Sequence, residues 1–389
     1  MKGLSGQAIG AGLLAAFVGF ASTFTVIVRG LTAVGATQAQ AASGLMTVSV
    51  LMGVVGVALS LRTRQPISVA WSTPGAALLV TSHPPPGGFP AVVGAFVVTG
   101  LLIVLAGQWR LLGRMVAAIP TALASAMLAG IMFSLCVAPV LAIGAYPVAG
   151  LAIVATWALV ARVRRVLAIP AAVLVAAIAV SATTHLSMQA LGPLWPQPVL
   201  VMPSFSAAAA IGLALPLFVV TMASQNIPGL AVLTVNGYRP DSRSIFTVTG
   251  LASIVASAFS GVAVNLAAIT AAMCAGPDAH PDPERRYWAS VTASLAYIVL
   301  GLGATAATAF ISVAPPLLIE AVAGLALLGA FGGSMMQAMH EPREREAAAV
   351  TFLVTGSGVG FLGISGAFWG LLAGGAIMAL TRWRGLRRR

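Results

Sequence analysis

Hydrophobic runs of membrane-span length recur along this chain, and the arginines between them fall almost entirely in alternate gaps. The runs lie at roughly 7–28, 42–60, 67–82, 90–108, 117–135, 146–161, 168–184, 207–235, 245–260, 262–275, 287–311, 317–338, 346–363 and 366–381. A helix needs about 20 apolar residues to cross hydrocarbon roughly 30 Å thick. The two ends and the even-numbered gaps hold Lys2, Arg62, Arg64, Arg110, Arg114, Arg162, Arg164, Arg165, Arg239, Arg243, Arg285, Arg286, Arg343, Arg345, Arg382, Arg384, Arg387, Arg388 and Arg389. These are 19 of the 20 Lys and Arg residues, with Arg29 the exception. Positive side chains resist translocation and so mark the cytoplasmic side. A miscounted span would scramble the alternation. The expected fold is therefore an all-α, multi-pass membrane protein with 14 transmembrane segments and both termini inside, in a bacterial-type inner (plasma) membrane.

Only 7% of residues are charged, against roughly 25% in a soluble domain. Fourteen spans consume about 280 of the 389 residues and leave short loops. The formal charge of +12 is spread over pairs of loop arginines, as topology and anionic headgroups require, so no nucleic acid is expected as a partner. The run from Ala8 to Val28 is long enough to span and has no A-x-A-like cleavage site, so it reads as the first span. Cys136 and Cys274 show neither metal spacing nor a disulfide framework and read as packing residues.

A Pro- and Trp-containing linker at 191–206 separates a first seven-span repeat, 1–190, from a second, 207–389. Because seven is odd, the second half enters the membrane in the opposite sense, the arithmetic of an inverted repeat. The halves share an anomaly. Span three contains Trp71-Ser-Thr-Pro-Gly and span ten contains Val264-Asn-Leu; both are short, and each reads as a β-favouring stretch followed by a half-length helix. Thr73 is the expected N-cap in the first, with Pro74 at the first helical position, and Asn265 is the expected N-cap in the second. A kinked ordinary helix is the alternative for each. Their matching positions favour the broken form, because unpaired helix starts inside hydrocarbon are tolerated only in protein or beside a cavity.

No Asp, Glu, Lys or Arg falls in the middle of a span, and His83, His185, His280 and His340 are peripheral. A membrane enzyme would need a nucleophile, base or metal cluster at depth, so neither catalysis nor a metal or other cofactor is expected. What remains at depth is polar and neutral: Gln225 and Asn226 ahead of Pro228 in span eight, Ser22, Thr23 and Thr25 in span one, and Ser72 and Thr73 in span three. Interhelical hydrogen bonding is the alternative role for each. Two half-helix N-termini would hold a small anion, particularly a carboxylate, without a cationic side chain. Phe20, Phe24 and Trp71 would suit an aromatic body. Arg29 reads as a snorkelling residue, and Glu320 as a first-turn helix residue that fits the dipole rule. Gly356-Ser-Gly-Val-Gly looks like a dinucleotide loop but falls inside an apolar run with no preceding strand.

Three stretches resemble the benzoate:proton symporter (BenE) family: Met222-Ala-Ser-Gln-Asn-Ile-Pro-Gly-Leu-Ala-Val-Leu, Asn265-Leu-Ala-Ala-Ile-Thr-Ala-Ala, and Gly276-Pro-Asp-Ala-His-Pro-Asp-Pro-Glu-Arg-Arg-Tyr-Trp. The family is related to uracil/xanthine permeases and sulfate-permease-type transporters. That kinship implies a core of spans 1–4 and 8–11, a gate of spans 5–7 and 12–14, and substrate between half-helices three and ten, beside spans one and eight. Where the nucleobase permeases carry carboxylates, this chain has Gln225 or Asn226 and Asn265, which argues against a nucleobase. The Gly276–Trp288 loop reads as structural or gating. The reading is a secondary transporter importing an aromatic carboxylate, benzoate, with a proton by alternating access. The alternatives are an anion exchanger or uniporter of sulfate-permease type and, from another class, a membrane-embedded enzyme or scaffold. A homodimer is left open. The proton travels with the weak acid itself or, alternatively, through Glu320.

Overall fold

The computed structural model describes residues 5–109, 119–183, 197–359 and 366–386. The chain is a mostly helical membrane protein. Among the described residues, seven helices are long and apolar enough to cross a membrane. In chain order the segments are α1 (Gly6–Ala33), α2 (Gln38–Thr63), β1 (Val69–Trp71), α3 (Thr73–Val80), α4 (Gly88–Gln108), α5 (Thr121–Ala145), α6 (Pro147–Arg164) and α7 (Ala168–Thr183). Then come α8 (Ala207–Val235), α9 (Ser242–Ala258), β2 (Val264–Leu266), α10 (Ile269–Ala275), α11 (Tyr287–Leu302, continued by Ala304–Val313), α12 (Pro316–Ala338), α13 (Arg345–Gly356) and α14 (Gly366–Leu386). The part of the expected linker at 191–196 lies outside the described residues. Its remainder is held without helix, by Val199 N–H on Ser43 Oγ and Val201 N–H on the Ala258 carbonyl.

Polar residues at the helix ends satisfy donors that the helices leave open. Thr37 and Gln40 form a reciprocal capping box at the start of α2. Helix α8 is interrupted twice by π-helical turns, Ala210–Ala214 and Met222–Asn226. Each turn precedes a proline by two residues, Pro216 and Pro228. A proline lacks the N–H its helix needs and its ring crowds the preceding turn; the turn widens in response. The helix thus accommodates Pro228 through a widened turn just before it.

Glycines set how closely the helices pack. A Cβ at Gly100 of α4 would lie 3.0 Å from the Gly250 carbonyl of α9, and one at Gly250 would lie 2.8 Å from the Gly100 carbonyl. Small residues let backbones meet where hydrocarbon provides no hydrophobic drive between helices. The same holds between α14 and α13, where a Cβ at Gly374 would strike Thr351 Oγ1 at 1.9 Å. In the run from Gly356 to Gly360, α13 ends at Gly356 and Gly358 is left-handed, while Gly360 lies outside the described residues.

The third and tenth runs are not through-going helices. Each is a three-residue strand followed by a short helix, and the strands pair antiparallel with Val69 opposite Leu266, Ala70 opposite Asn265 and Trp71 opposite Val264. This pairing, buried in protein, meets the backbone hydrogen-bond demand that makes broken helices so costly in lipid. Ala267 N–H extends it by bonding the Ser68 carbonyl at 2.9 Å.

Candidate substrate site

The first half-helix is capped one residue earlier than the sequence suggests. Ser72, not Thr73, is the N-cap of α3; its Oγ accepts from Gly75 N–H at 3.1 Å, and Thr73 and Pro74 follow as the first two helical residues. Both Ser and Thr make good caps; the strand ending at Trp71 decides between them. Gly75 leaves room for the capping hydroxyl, since a Cβ would come within 2.7 Å of Leu217 Cδ1 and 2.8 Å of Ser72 Oγ.

Asn265 is not a cap. It sits inside β2, wholly buried, with its Nδ2 donating to the Leu266 carbonyl and its Oδ1 unpartnered. The start of α10 is Ala268, which has no side-chain cap of its own sequence neighbourhood. The side chains that serve it come from α8. Asn226 Oδ1 accepts from Leu266 N–H at 2.9 Å, and Gln225 Oε1 accepts from Ala268 N–H at 3.2 Å. Backbone donors facing both carbonyl oxygens fix the amide orientations. Asn226 then points its NH₂ at Met222 Sδ, 3.2 Å away. The widened turn of α8 is where these two adjacent side chains reach β2, and Gly229 makes room for β2, since a Cβ there would lie 2.7 Å from Leu266 Cγ and 2.9 Å from the Ala267 carbonyl oxygen.

Between the starts of α3 and α10 lies a cavity of about 60 Å³, several times the roughly 10–15 Å³ that one ordered water occupies by this measure. Thr23, Thr73, Gln225 and Thr270 supply its polar lining. Met52, Trp71, Met273 and Tyr297 supply much of the apolar wall. Trp71 Nε1 donates to Thr23 Oγ1 at 2.9 Å, and Thr23 in turn donates to the Gly19 carbonyl. An aromatic chain runs past the cavity: Phe24 on Phe20 (5.5 Å, 12°), Phe20 on Trp71 (5.5 Å) and Trp71 on Tyr297 (6.4 Å). Thr270 Oγ1 is buried beside the Tyr297 hydroxyl with no hydrogen bond of good geometry, and Gln225 Nε2 makes no hydrogen bond among the described residues. The lining therefore has spare donors and no charged side chain.

Of the residues expected from sequence, Thr23, Thr73 and Gln225 line the cavity. Ser72, Asn226 and Asn265 stand behind it in the backbone scaffold. Thr25 is buried with an unpartnered Oγ1 but lies outside the cavity lining. Ser22 is on α1, and its side chain lies outside the described residues. Tyr297, Thr270, Met52 and Met273 went unnoticed because single residues in apolar runs show no pattern.

Two further residues were misread. Arg29 is not a lone snorkelling group, and Glu320, the fifth residue of α12, lies beyond that helix's first turn: Arg29 Nη2 donates to Glu320 Oε1, joining α1 to α12. The Gly276–Trp288 loop is held by its own Arg286. That buried guanidinium donates to the carbonyls of His280 (2.7 Å), Ala275 (2.9 Å) and Pro281 (3.4 Å), closing the C-terminal end of α10. A structural role for the loop fits these contacts.

Paired broken segments around a neutral, donor-lined cavity in a multi-pass bundle are the architecture of a membrane transporter with a small-molecule substrate. The chain belongs to the benzoate membrane transport protein family, BenE, whose model matches residues 3–380. It is 40% identical over 376 residues to the inner membrane protein YdcO of Escherichia coli, covering 94% of this chain and 93% of that protein. It is 32% identical over 372 residues to the benzoate membrane transport protein of Acinetobacter baylyi, covering 94% and 92%. Among solved structures, the transmembrane domain of the cyanobacterial bicarbonate transporter BicA aligns with a TM-score of 0.58 at 13% identity, over 95% of this chain and 98% of that one. SLC26A9 aligns with a TM-score of 0.61 at 13% identity, over 96% of this chain and 65% of that one. These two share the fold.

Proposed function

We propose that this chain is a secondary transporter that imports an aromatic carboxylate, benzoate, together with a proton by alternating access. The observation that carries the reading is the cavity between the starts of α3 and α10. Spare donors of Thr270 and Gln225 and the positive ends of two helices favour a carboxylate, while Trp71, Tyr297, Met52 and Met273 favour an apolar ring over a small inorganic anion. Thr23 and Thr73 contact the substrate; Ser72, Asn226 and Asn265 hold the backbone that surrounds it. The A. baylyi relative's name points to the same substrate. With no Asp, Glu, His, Lys or Arg lining the cavity, the proton travels with the weak acid.

The architecture in this reading is a 7+7 inverted repeat of 14 spans with both termini cytoplasmic. The packing supports it. Exchanging each helix for the one seven places along turns the α2–α11 contact into α9–α4, turns α1–α3 into α8–α10, and leaves α5–α12 and β1–β2 unchanged, and all of these contacts are present. Helices α1–α4 and α8–α11 form the core, and α5–α7 with α12–α14 form the gate, the two meeting along seams such as α1–α12 and α3–α5. Every residue lining the substrate cavity belongs to the core, so the substrate moves with the core when the core moves against the gate.

Uptake into proteoliposomes tests the proposal. Labelled benzoate accumulates under an inward proton gradient and fails to do so when the gradient is collapsed. Accumulation that needs a counter-anion such as bicarbonate, and ignores the proton gradient, would replace symport by exchange.

A further inference from the structure

The Arg29–Glu320 pair has a geometry that a static clamp would not require. It is one of two ion pairs among the described residues, and the other, Arg285–Asp282, is a local loop contact. The side chains are 31% and 25% exposed, at the end of α1 where it meets α12. A guanidinium binds a carboxylate best through two parallel N–H bonds. Here Glu320 takes Nη2 alone, and Arg29 Nε is buried with no partner. The arginine is half-satisfied, with an edge donor left open. Toward the cavity along the same face, Thr25 lies one turn away with its own buried, unpartnered Oγ1, and Val18 of the cavity wall lies seven residues further. From Arg29 to cavity-lining Thr23 is six residues, or about 9 Å of helix. The backbone at Arg29 is anchored to the core by Gly30, where a Cβ would lie 2.7 Å from the Ala76 carbonyl of α3, whereas Glu320 rides on α12.

We propose that Arg29 receives the substrate carboxylate at this end of the α1–α12 seam, and that Glu320 is its internal stand-in. Glu320 occupies the guanidinium while the seam is shut. An arriving carboxylate displaces it, one carboxylate for another with no change in charge, and bonds both Nη2 and the open Nε. The exchange unties α1 from α12 and hands the anion to the polar face that leads past Thr25 to the cavity. Arg29 is thus an affinity-determining residue outside the cavity. The inference rests on the carboxylate-transport reading above.

The test is the KM for benzoate uptake in proteoliposomes for wild type, Glu320→Gln, Arg29→Gln and Arg29→Lys, each checked for a wild-type elution profile. Removing the stand-in lowers KM, and removing the receptor raises it, each at least about fivefold, the lower end of typical site coupling. Arg29→Lys, which keeps the charge and loses the fork, falls between Arg29→Gln and wild type. A clamp with only a structural role is broken equally by either neutral variant, so KM moving the same way in both would overturn the inference. Should Arg29→Gln fail to fold, Glu320→Gln and Arg29→Lys decide: an unchanged or raised KM in Glu320→Gln overturns it. Lack of benzoate uptake by wild type would overturn the transport reading and this inference together, whereas normal wild-type uptake with same-signed shifts overturns this inference alone.

Discussion

Gln225 offers a substitution that separates holding the scaffold from holding the substrate. Its Oε1 accepts the Ala268 N–H, its side chain lines the cavity, and its Nε2 makes no hydrogen bond among the described residues. Gln225→Glu keeps an acceptor for Ala268 and replaces the free donor by a second oxygen. At neutral pH the substrate carboxylate then loses one charge-assisted hydrogen bond, roughly 1.5–3 kcal/mol. It also meets a like charge, costing about 3 kcal/mol at a separation of about 5 Å with an effective dielectric of ~20. Even with both discounted for rearrangement, a loss near 3 kcal/mol remains, about 100-fold in affinity. The sign with pH follows from linkage. Burial and a neighbouring anion raise the pKa of the introduced carboxyl, and once protonated it can donate as the amide did. The defect is therefore largest at high pH and shrinks as pH falls. Equilibrium binding of labelled benzoate to purified protein across neutral to mildly acidic pH measures this, with the elution profile as a folding control. Wild-type affinity at neutral pH, or a defect that grows on acidification, would refute the donor role of Gln225.

Ser72→Ala removes the α3 cap and lowers stability by about 0.5–2 kcal/mol, read as a reduced melting temperature, while a Ser72→Thr variant restores it. Asn226→Ala leaves the Leu266 N–H buried and unbonded, at roughly 1–3 kcal/mol, and reduces both stability and uptake, whereas Thr270→Val, which removes only an unpartnered cavity hydroxyl, weakens benzoate binding and spares the melting temperature. Arg286→Gln strips three carbonyls of their donor and frees the 276–288 loop, so limited proteolysis at that loop accelerates.

How much of this was legible in the sequence depended on how far apart the partners lie. The broken third and tenth segments could be seen because Pro74, Gly75 and the Ser/Thr/Asn residues around them are local punctuation. The capping detail could not: Ser72 and Thr73 are equally good caps until the strand is placed, and Asn265 has cap chemistry but is claimed by β2. Gln225 and Asn226 stood out as costly to bury, yet their partners are backbone N–H groups some 40 residues away, which no local pattern reveals. The Arg29–Glu320 pair spans 291 residues, and each partner had an adequate local explanation alone. Tyr297 gave no warning at all, being one aromatic residue in an apolar helix.

The central claim is that a carboxylate sits between the starts of α3 and α10. A density map of the protein with 4-bromobenzoate bound, the heavy atom fixing the ring's direction, tests it most directly. The carboxylate is expected within hydrogen-bonding distance of Thr270 Oγ1 and Gln225 Nε2, with the ring against Trp71 and Tyr297. A second cavity, of about 590 Å³, is lined by Arg64, Tyr238, Arg285 and Trp288. Density confined to that cavity, with the space between α3 and α10 empty, would contradict the account.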